Sequence, residues 1–190
     1  MRRADALLLT PGASADRNQP ALVAIDDALS AEGIVVERMD FPYTRAGRRA
    51  PDRPAVLIEA VGEGAAALAE RAGVAPERVA LGGRSMGGRM CSMAVAEGLP
   101  AAALVLVSYP LHPPGKPDKV RTDHFPALDL PCLFVSGTKD AFGSPDELEA
   151  ATAAVSGEVT HAWLPGSHGL RGQDARVAST VLAWLLGPSG

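Results

Sequence analysis

Val79-Ala80-Leu81-Gly82-Gly83-Arg84-Ser85-Met86-Gly87-Gly88 is the stretch that decides the fold. A short apolar run ends in glycines, Ser85 stands between Gly83 and Gly87, and a helical pattern follows. This is the Gly-x-Ser-x-Gly arrangement of strand, sharp turn and helix. A serine at the tip of such a turn occupies an unfavourable backbone conformation. Side chains two residues before and after it would collide as strand and helix close in, and glycine has none. Ser85 is thereby held out at the head of a helix. The Met86 N–H points to where an oxygen would gather negative charge.

With 20 glycines among 190 residues, the five-residue pattern has about a one-in-eight expectation by chance, so its surroundings must carry the reading. On the N-terminal side, residues 6–10 form a short apolar strand that breaks at Pro11-Gly12-Ala13-Ser14. Asn18-Gln19-Pro20 predicts a helix start with a capping side chain and an early proline. Leu22, Ile25 and Leu29 then share one helical face, and Gly33 supplies the stop. A second strand follows at about 34–39, then a basic, proline-punctuated loop over 40–53 and a long helix over 54–72.

On the C-terminal side, the elbow helix runs over about 86–97. Residues 103–108 are almost purely apolar, as in a parallel strand covered on both faces. A connection rich in proline and charge spans 109–130, and another buried strand at 132–136 ends in Gly137-Thr138-Lys139-Asp140. Ser144-Pro145-Asp146-Glu147 has the pattern of a capping box and opens a helix to about 155. A last strand at 158–164 closes in Pro165-Gly166-Ser167-His168-Gly169, and a final helix covers 174–186. This alternation predicts an α/β protein. It would be a three-layer α/β/α sandwich on a mostly parallel sheet of about six strands, in one domain over residues 1–190. In such sheets ligands bind outside the carboxyl edge of the strands.

Composition narrows the function. A net charge of −4 and an isoelectric point near 5.5 argue against a general nucleic-acid binder. Cys91 and Cys132 are far apart without a Cys-x-x-Cys, and read as reduced, buried cysteines of a cytoplasmic protein. The apolar run at 6–9 is short for a leader and is preceded by Asp5, and no run reaches the ~18 apolar residues of a membrane helix. There is no His-Glu-x-x-His, no Gly-Lys-Ser/Thr phosphate loop and no Gly-x-Gly-x-x-Gly after the first strand, so neither a metal nor a cofactor is expected.

Four strand-ending turns face the carboxyl edge: 11–14, Ser85, Asp140 and His168. A serine hydroxyl needs a base within reach and a third group to orient that base. Behind such an elbow the chain order is serine, acid, histidine, and Ser85, Asp140 and His168 follow it. In this reading His168 takes the Ser85 proton, Asp140 orients the imidazole, and the N–H groups of Met86 and Ala13 form an oxyanion hole. His161 lies inside a strand, His124 lies in the long connection, Asp129 precedes a strand, and Glu147 is accounted for as a cap. His112 faces the active edge but precedes the acid, and is a candidate substrate contact.

The chain resembles a small member of the α/β-hydrolase superfamily, on the dienelactone-hydrolase-like side. Asp40-Phe41-Pro42-Tyr43, Arg45-Ala46-Gly47-Arg48-Arg49-Ala50-Pro51, Gly82-Gly83-Arg84-Ser85-Met86-Gly87-Gly88 and Tyr109-Pro110-Leu111-His112-Pro113-Pro114-Gly115-Lys116 are similar to the group containing the testis-expressed protein and the NSL-complex regulatory subunit. The resemblance spans nearly the whole chain and implies a triad of Ser85, Asp140 and His168. Two features depart from it. Pro11-Gly12-Ala13 replaces the His-Gly that many relatives carry in the first oxyanion loop, and Ser85 replaces the cysteine nucleophile of dienelactone hydrolases, so a dienelactone substrate does not carry over.

The sequence thus points to a cap-less serine hydrolase acting on a small carboxylic ester or thioester. A non-catalytic binding module on the same fold, and an amidase or acyltransferase, are the rival readings. Arg45, Arg48, Arg49 and Arg53 follow one strand, and Lys116, Lys119 and Arg121 follow another. They read either as a solvated rim paired with Asp52, Asp118 and Asp123 or as contacts for an anionic acyl substrate or acidic partner. Arg48 and Arg49 are the candidates for the second role.

Overall fold

The computed structural model describes residues 2–187. Six strands, β1 (Ala6–Thr10), β2 (Val35–Arg38), β3 (Val79–Arg84), β4 (Leu104–Val107), β5 (Cys132–Gly137) and β6 (Val159–Leu164), form one sheet. All neighbouring pairs are parallel, in the order β2-β1-β3-β4-β5-β6. The sheet is therefore parallel throughout, and its inner strands β1, β4 and β5 are the near-continuous apolar runs such sheets bury on both faces.

The period of two in those strands divides the core. Leu7, Leu9, Val105, Val107, Leu133 and Val135 face one side, where α1 (Pro20–Ser30) and α6 (Asp174–Leu186) cover them. Leu8, Leu81, Leu104, Leu106 and Phe134 face the other. There they pack on α3 (Pro54–Ala72), which follows the single-turn α2 (Pro42–Arg45), on α4 (Met86–Ala96) and on α5 (Pro145–Thr152). Each fully buried leucine contributes about 1.5–3 kcal/mol, and moving a strand by one residue would swap its two rows between the helical layers and misfit the packing on both faces.

Among the described α-helices, only α5 starts on a side-chain cap. Ser144 and Glu147 form the reciprocal capping box ahead of α5. At α1, Pro20 opens the helix but no side chain caps it; the Gln19 amide oxygen instead accepts from the Gly12 N–H at 3.1 Å. Residues 108–131 contain a single 3₁₀ turn (Phe125–Ala127) and no added helical layer. The Tyr109 ring packs on Phe125 and Phe134 at 5.3 and 5.9 Å, and its hydroxyl donates to the Arg121 carbonyl at 2.6 Å. That clamp keeps the connection flat on the sheet edge. Among the described residues, no helix is long and apolar enough to cross a membrane.

The strand order reverses direction at β1: the chain passes to β2 on one side and then to β3 on the other. The turns leaving β1 and β3 consequently diverge, and a crevice opens between them.

Candidate active site

Ser85 occupies that crevice, between β3 and α4, with φ 51° and ψ −116°. Non-glycine residues with positive φ are uncommon and costly, and they persist where surrounding structure over-determines them. Here the Ser85 N–H donates to the Val107 carbonyl of β4 at 2.8 Å. The glycines on either side permit the turn. A Cβ at Gly87 would meet the Thr10 and Pro11 carbonyl oxygens, each at 2.5 Å, and one at Gly83 would strike Thr10. The elbow is thus wedged against the end of β1, and only backbone fits there.

Asp140 is delivered by the turn after β5. The Thr138 N–H donates to the Leu164 carbonyl and the Lys139 N–H to the Gly166 carbonyl, both at 2.9 Å, which ties this turn to the loop after β6. That loop carries His168. Its Nδ1 lies 2.8 and 3.0 Å from the two Asp140 carboxylate oxygens, and its Nε2 lies 2.9 Å from Ser85 Oγ. An ionised carboxylate can only accept, so the proton belongs on Nδ1 and Nε2 accepts from the Ser85 hydroxyl. The Asp140 side chain is 1% exposed and that of His168 18%. Asp140 Oδ1 also accepts from the Phe142 N–H at 2.8 Å, and the Phe142 ring stacks on the imidazole at 4.0 Å. From the other side, Arg84 donates to the His168 carbonyl at 2.6 Å. Burial pushes the Arg84 guanidinium down from its ordinary value, and the charges of Asp140 and Asp174 oppose that shift.

A cleft of about 470 Å³ opens over Ser85 and His168 and is lined by Gly12, Ala13, Met86, Arg89, Pro110, Arg121 and Phe142 among others. The Met86 N–H stands at the head of α4. Gln19 engages the Gly12 N–H, and Ala13 lines the same cleft beside it.

The structure does not bring His112, Arg48 or Arg49 to the cleft. The His112 N–H donates to the Phe142 carbonyl at 3.0 Å, its Nδ1 is paired with the Pro113 carbonyl at 2.9 Å, and its Nε2 turns toward Glu147 at 3.6 Å. Arg48 pairs with Asp52 at 2.8 Å, and the Arg49 carbonyl accepts from Ser14 Oγ at 3.2 Å. The other histidines are packed. His124 Nε2 is bonded to Ser92 Oγ at 2.8 Å, and His161 Nε2 to Thr152 Oγ1 at 3.0 Å. Burial and the Arg89 charge push His124 down to about 4, and burial lowers His161 as well. Cys91 and Cys132 are free and buried, and burial raises both thiols to about 12. Among the described residues no three His, Cys, Asp or Glu side chains are grouped as a metal site would need.

Arg84, Arg89 and Phe142 also border the site, and no sequence motif assigns them a role. Their signal was proximity alone: one residue before Ser85, four after it, and two after Asp140.

A six-stranded parallel sheet with helices on both faces and a serine on a strained strand-to-helix turn defines an α/β-hydrolase fold. The chain belongs to the Alpha/beta hydrolase domain family, whose model matches residues 3–181. Solved structures share the fold at low identity. An alpha-beta serine hydrolase homologue from Coxiella burnetii is 16% identical with a TM-score of 0.75, over 95% of this chain and 84% of that one. Dienelactone hydrolase from Anabaena variabilis is 19% identical with a TM-score of 0.73, over 97% and 88%. The RedJ thioesterase of the prodiginine pathway in Streptomyces coelicolor is 18% identical with a TM-score of 0.67, over 92% and 84%.

Proposed function

We propose that this chain is a single cap-less hydrolase domain that cleaves a carboxylic ester or thioester through an acyl-Ser85 intermediate. One observation carries the reading: an unbroken relay from the Asp140 carboxylate through His168 to Ser85 Oγ, with both contacts below 3 Å. Ser85 Oγ attacks the acyl carbon as His168 Nε2 takes its proton. The carbonyl oxygen becomes an oxyanion facing the Met86 and Ala13 N–H groups. The tetrahedral centre collapses, the bond to the leaving oxygen or sulfur breaks, and the imidazolium gives its proton to that atom. Water then attacks the acyl-enzyme with His168 again as base, and the acid and free Ser85 are regenerated. Asp140 holds the tautomer and stabilises the imidazolium without taking the proton. The resemblance of the 40–51 and 109–116 loops to the group of the testis-expressed protein and the NSL-complex regulatory subunit fits this reading.

Hydrolysis of p-nitrophenyl esters and of short acyl thioesters tests it. Ser85→Ala abolishes turnover above background, and Asp140→Asn lowers kcat by about 10⁴-fold, the scale expected when the wrong imidazole tautomer is held. Full activity in folded Ser85→Ala would refute the proposal.

A further inference from the structure

The wall of the Ser85 cleft is basic in a protein whose net charge is −4. Arg84, Arg89 and Arg121 line it, and no Asp or Glu does. Among the described residues none of these three makes an ion pair, whereas Arg38, Arg48, Arg71 and Arg78 each hold a carboxylate. Arg84 has a job already, bonded to the His168 carbonyl. Among the described residues Arg89 and Arg121 hold no carboxylate, and the Arg89 charge bears on the Tyr109 hydroxyl. The Arg89 Nε is buried without a hydrogen-bond partner. The Arg121 backbone is pinned, its N–H to the Leu111 carbonyl at 2.9 Å and its carbonyl to the Tyr109 hydroxyl. Its guanidinium keeps one long contact, 3.5 Å to the Pro110 carbonyl.

The two guanidiniums also sense one another. Burial lowers Arg121 first, and the Arg89 charge lowers it further. Two like charges held on a partly dehydrated wall, with the buried Arg89 Nε unpaired, are unfavourable in the free protein. Guanidinium forks match the planar or tetrahedral oxygens of carboxylates and phosphates, often in pairs of parallel bonds. Arg89 also rises from the first turn of α4, whose positive end favours an anion.

We propose that Arg89 and Arg121 form an anion subsite beside Ser85, and that the substrate is an ester or thioester carrying a second, negatively charged carboxylate or phosphate group. This rests on Ser85 being the nucleophile. It moves the anion-recognising role from Arg48 and Arg49 of the 40–53 loop to arginines inside the cleft. A neutral ester leaves both charges unanswered; an anionic one neutralises them.

The test compares mono-p-nitrophenyl glutarate with p-nitrophenyl valerate, which share chain length and leaving group. Wild type favours the glutarate ester in kcat/KM, and the preference shrinks as salt rises. Arg89→Met and Arg121→Met each lower the glutarate-to-valerate ratio by at least tenfold. Arg89→Lys and Arg121→Lys, which keep charge but lose the fork, fall between. Arg176→Met, an exposed arginine on α6, keeps the wild-type ratio. A measurement on wild type alone avoids any folding defect: free glutarate or inorganic phosphate competes with valerate hydrolysis where equal ionic strength of chloride does not. Stronger competition by one or the other identifies the carboxylate or the phosphate. A ratio near one in wild type, equal losses on both esters, or no competition by either anion overturns the subsite while hydrolysis of valerate leaves the Ser85 reading intact. Absence of hydrolysis of both esters by folded wild type overturns the Ser85 reading itself.

Discussion

Gly87 and Gly62 are both helical glycines, and they should respond oppositely to alanine. At Gly62, inside α3, an added Cβ meets only Leu99 Cδ1 at 4.0 Å. Replacing glycine by alanine in a helix interior gains about 1 kcal/mol. At Gly87 the same carbon meets the Pro11 carbonyl, the Thr10 carbonyl and Thr10 Oγ1, all at 2.5 Å. Two of the three are main chain and cannot swing aside. Overpacking of this kind costs about 1–3 kcal/mol, and rigid neighbours put it at the upper end. Subtracting the helix gain leaves a net loss of about 2 kcal/mol. For a domain of this size each kcal/mol moves Tm by roughly 2–4 °C. Gly62→Ala should therefore raise Tm by roughly 2–4 °C, and Gly87→Ala should lower it by roughly 4–8 °C. Differential scanning calorimetry reads both. Gly87→Ala should also slow ester hydrolysis, because any relief of the clash moves the Met86 N–H and Ser85 together. Equal Tm shifts of the same sign, or a Gly87→Ala enzyme with wild-type kcat, would refute the close approach of the elbow to β1.

Phe142→Ala keeps the main-chain bond to Asp140 but removes the ring stacked on His168. Aromatic contacts of this kind are worth about 0.5–1.5 kcal/mol, so kcat on a neutral ester should fall by roughly 2- to 10-fold, with Phe142→Tyr close to wild type. Burial and the Arg89 charge push His124 from its ordinary 6.5 down to about 4 in the folded protein. Below pH 6.5 the unfolded chain binds the proton first, so stability drains as pH falls from 6.5 toward 4. Urea unfolding at pH 7.5 and pH 5 should show a smaller loss for His124→Gln than for wild type. His161 shifts in the same direction, and His161→Gln should act alike.

The sheet was legible because its strands are apolar runs cut by glycine and proline, and because helical periodicity separates them. Chain order and the rule that ligands gather at the carboxyl edge were enough to name Ser85, Asp140 and His168 together, and the fold brings their side chains within hydrogen-bond reach. The loops were less legible, since they have no periodicity to fix where a side chain turns. His112 lies at the active edge, yet its Nδ1 pairs with the Pro113 carbonyl and its Nε2 turns toward Glu147 on α5. Arg48 is drawn off by Asp52, four residues away. Gln19 has the sequence position of a cap but bridges to Gly12 across the β1 turn, a partner seven residues distant that only the folded loop supplies. Arg121 was visible as a charge in the long connection; that it lines the same cleft as Arg89 depends on how the Tyr109 clamp holds that connection.

The central claim is that Ser85 is a nucleophile activated by His168. Labelling with a fluorophosphonate probe, followed by mass spectrometry of the modified peptide, tests it most directly. A single adduct on Ser85 is expected in wild type, none in Ser85→Ala, and labelling slowed at least a hundredfold in His168→Ala. Well-folded wild-type protein that takes no label, or takes it on a residue other than Ser85, would contradict it.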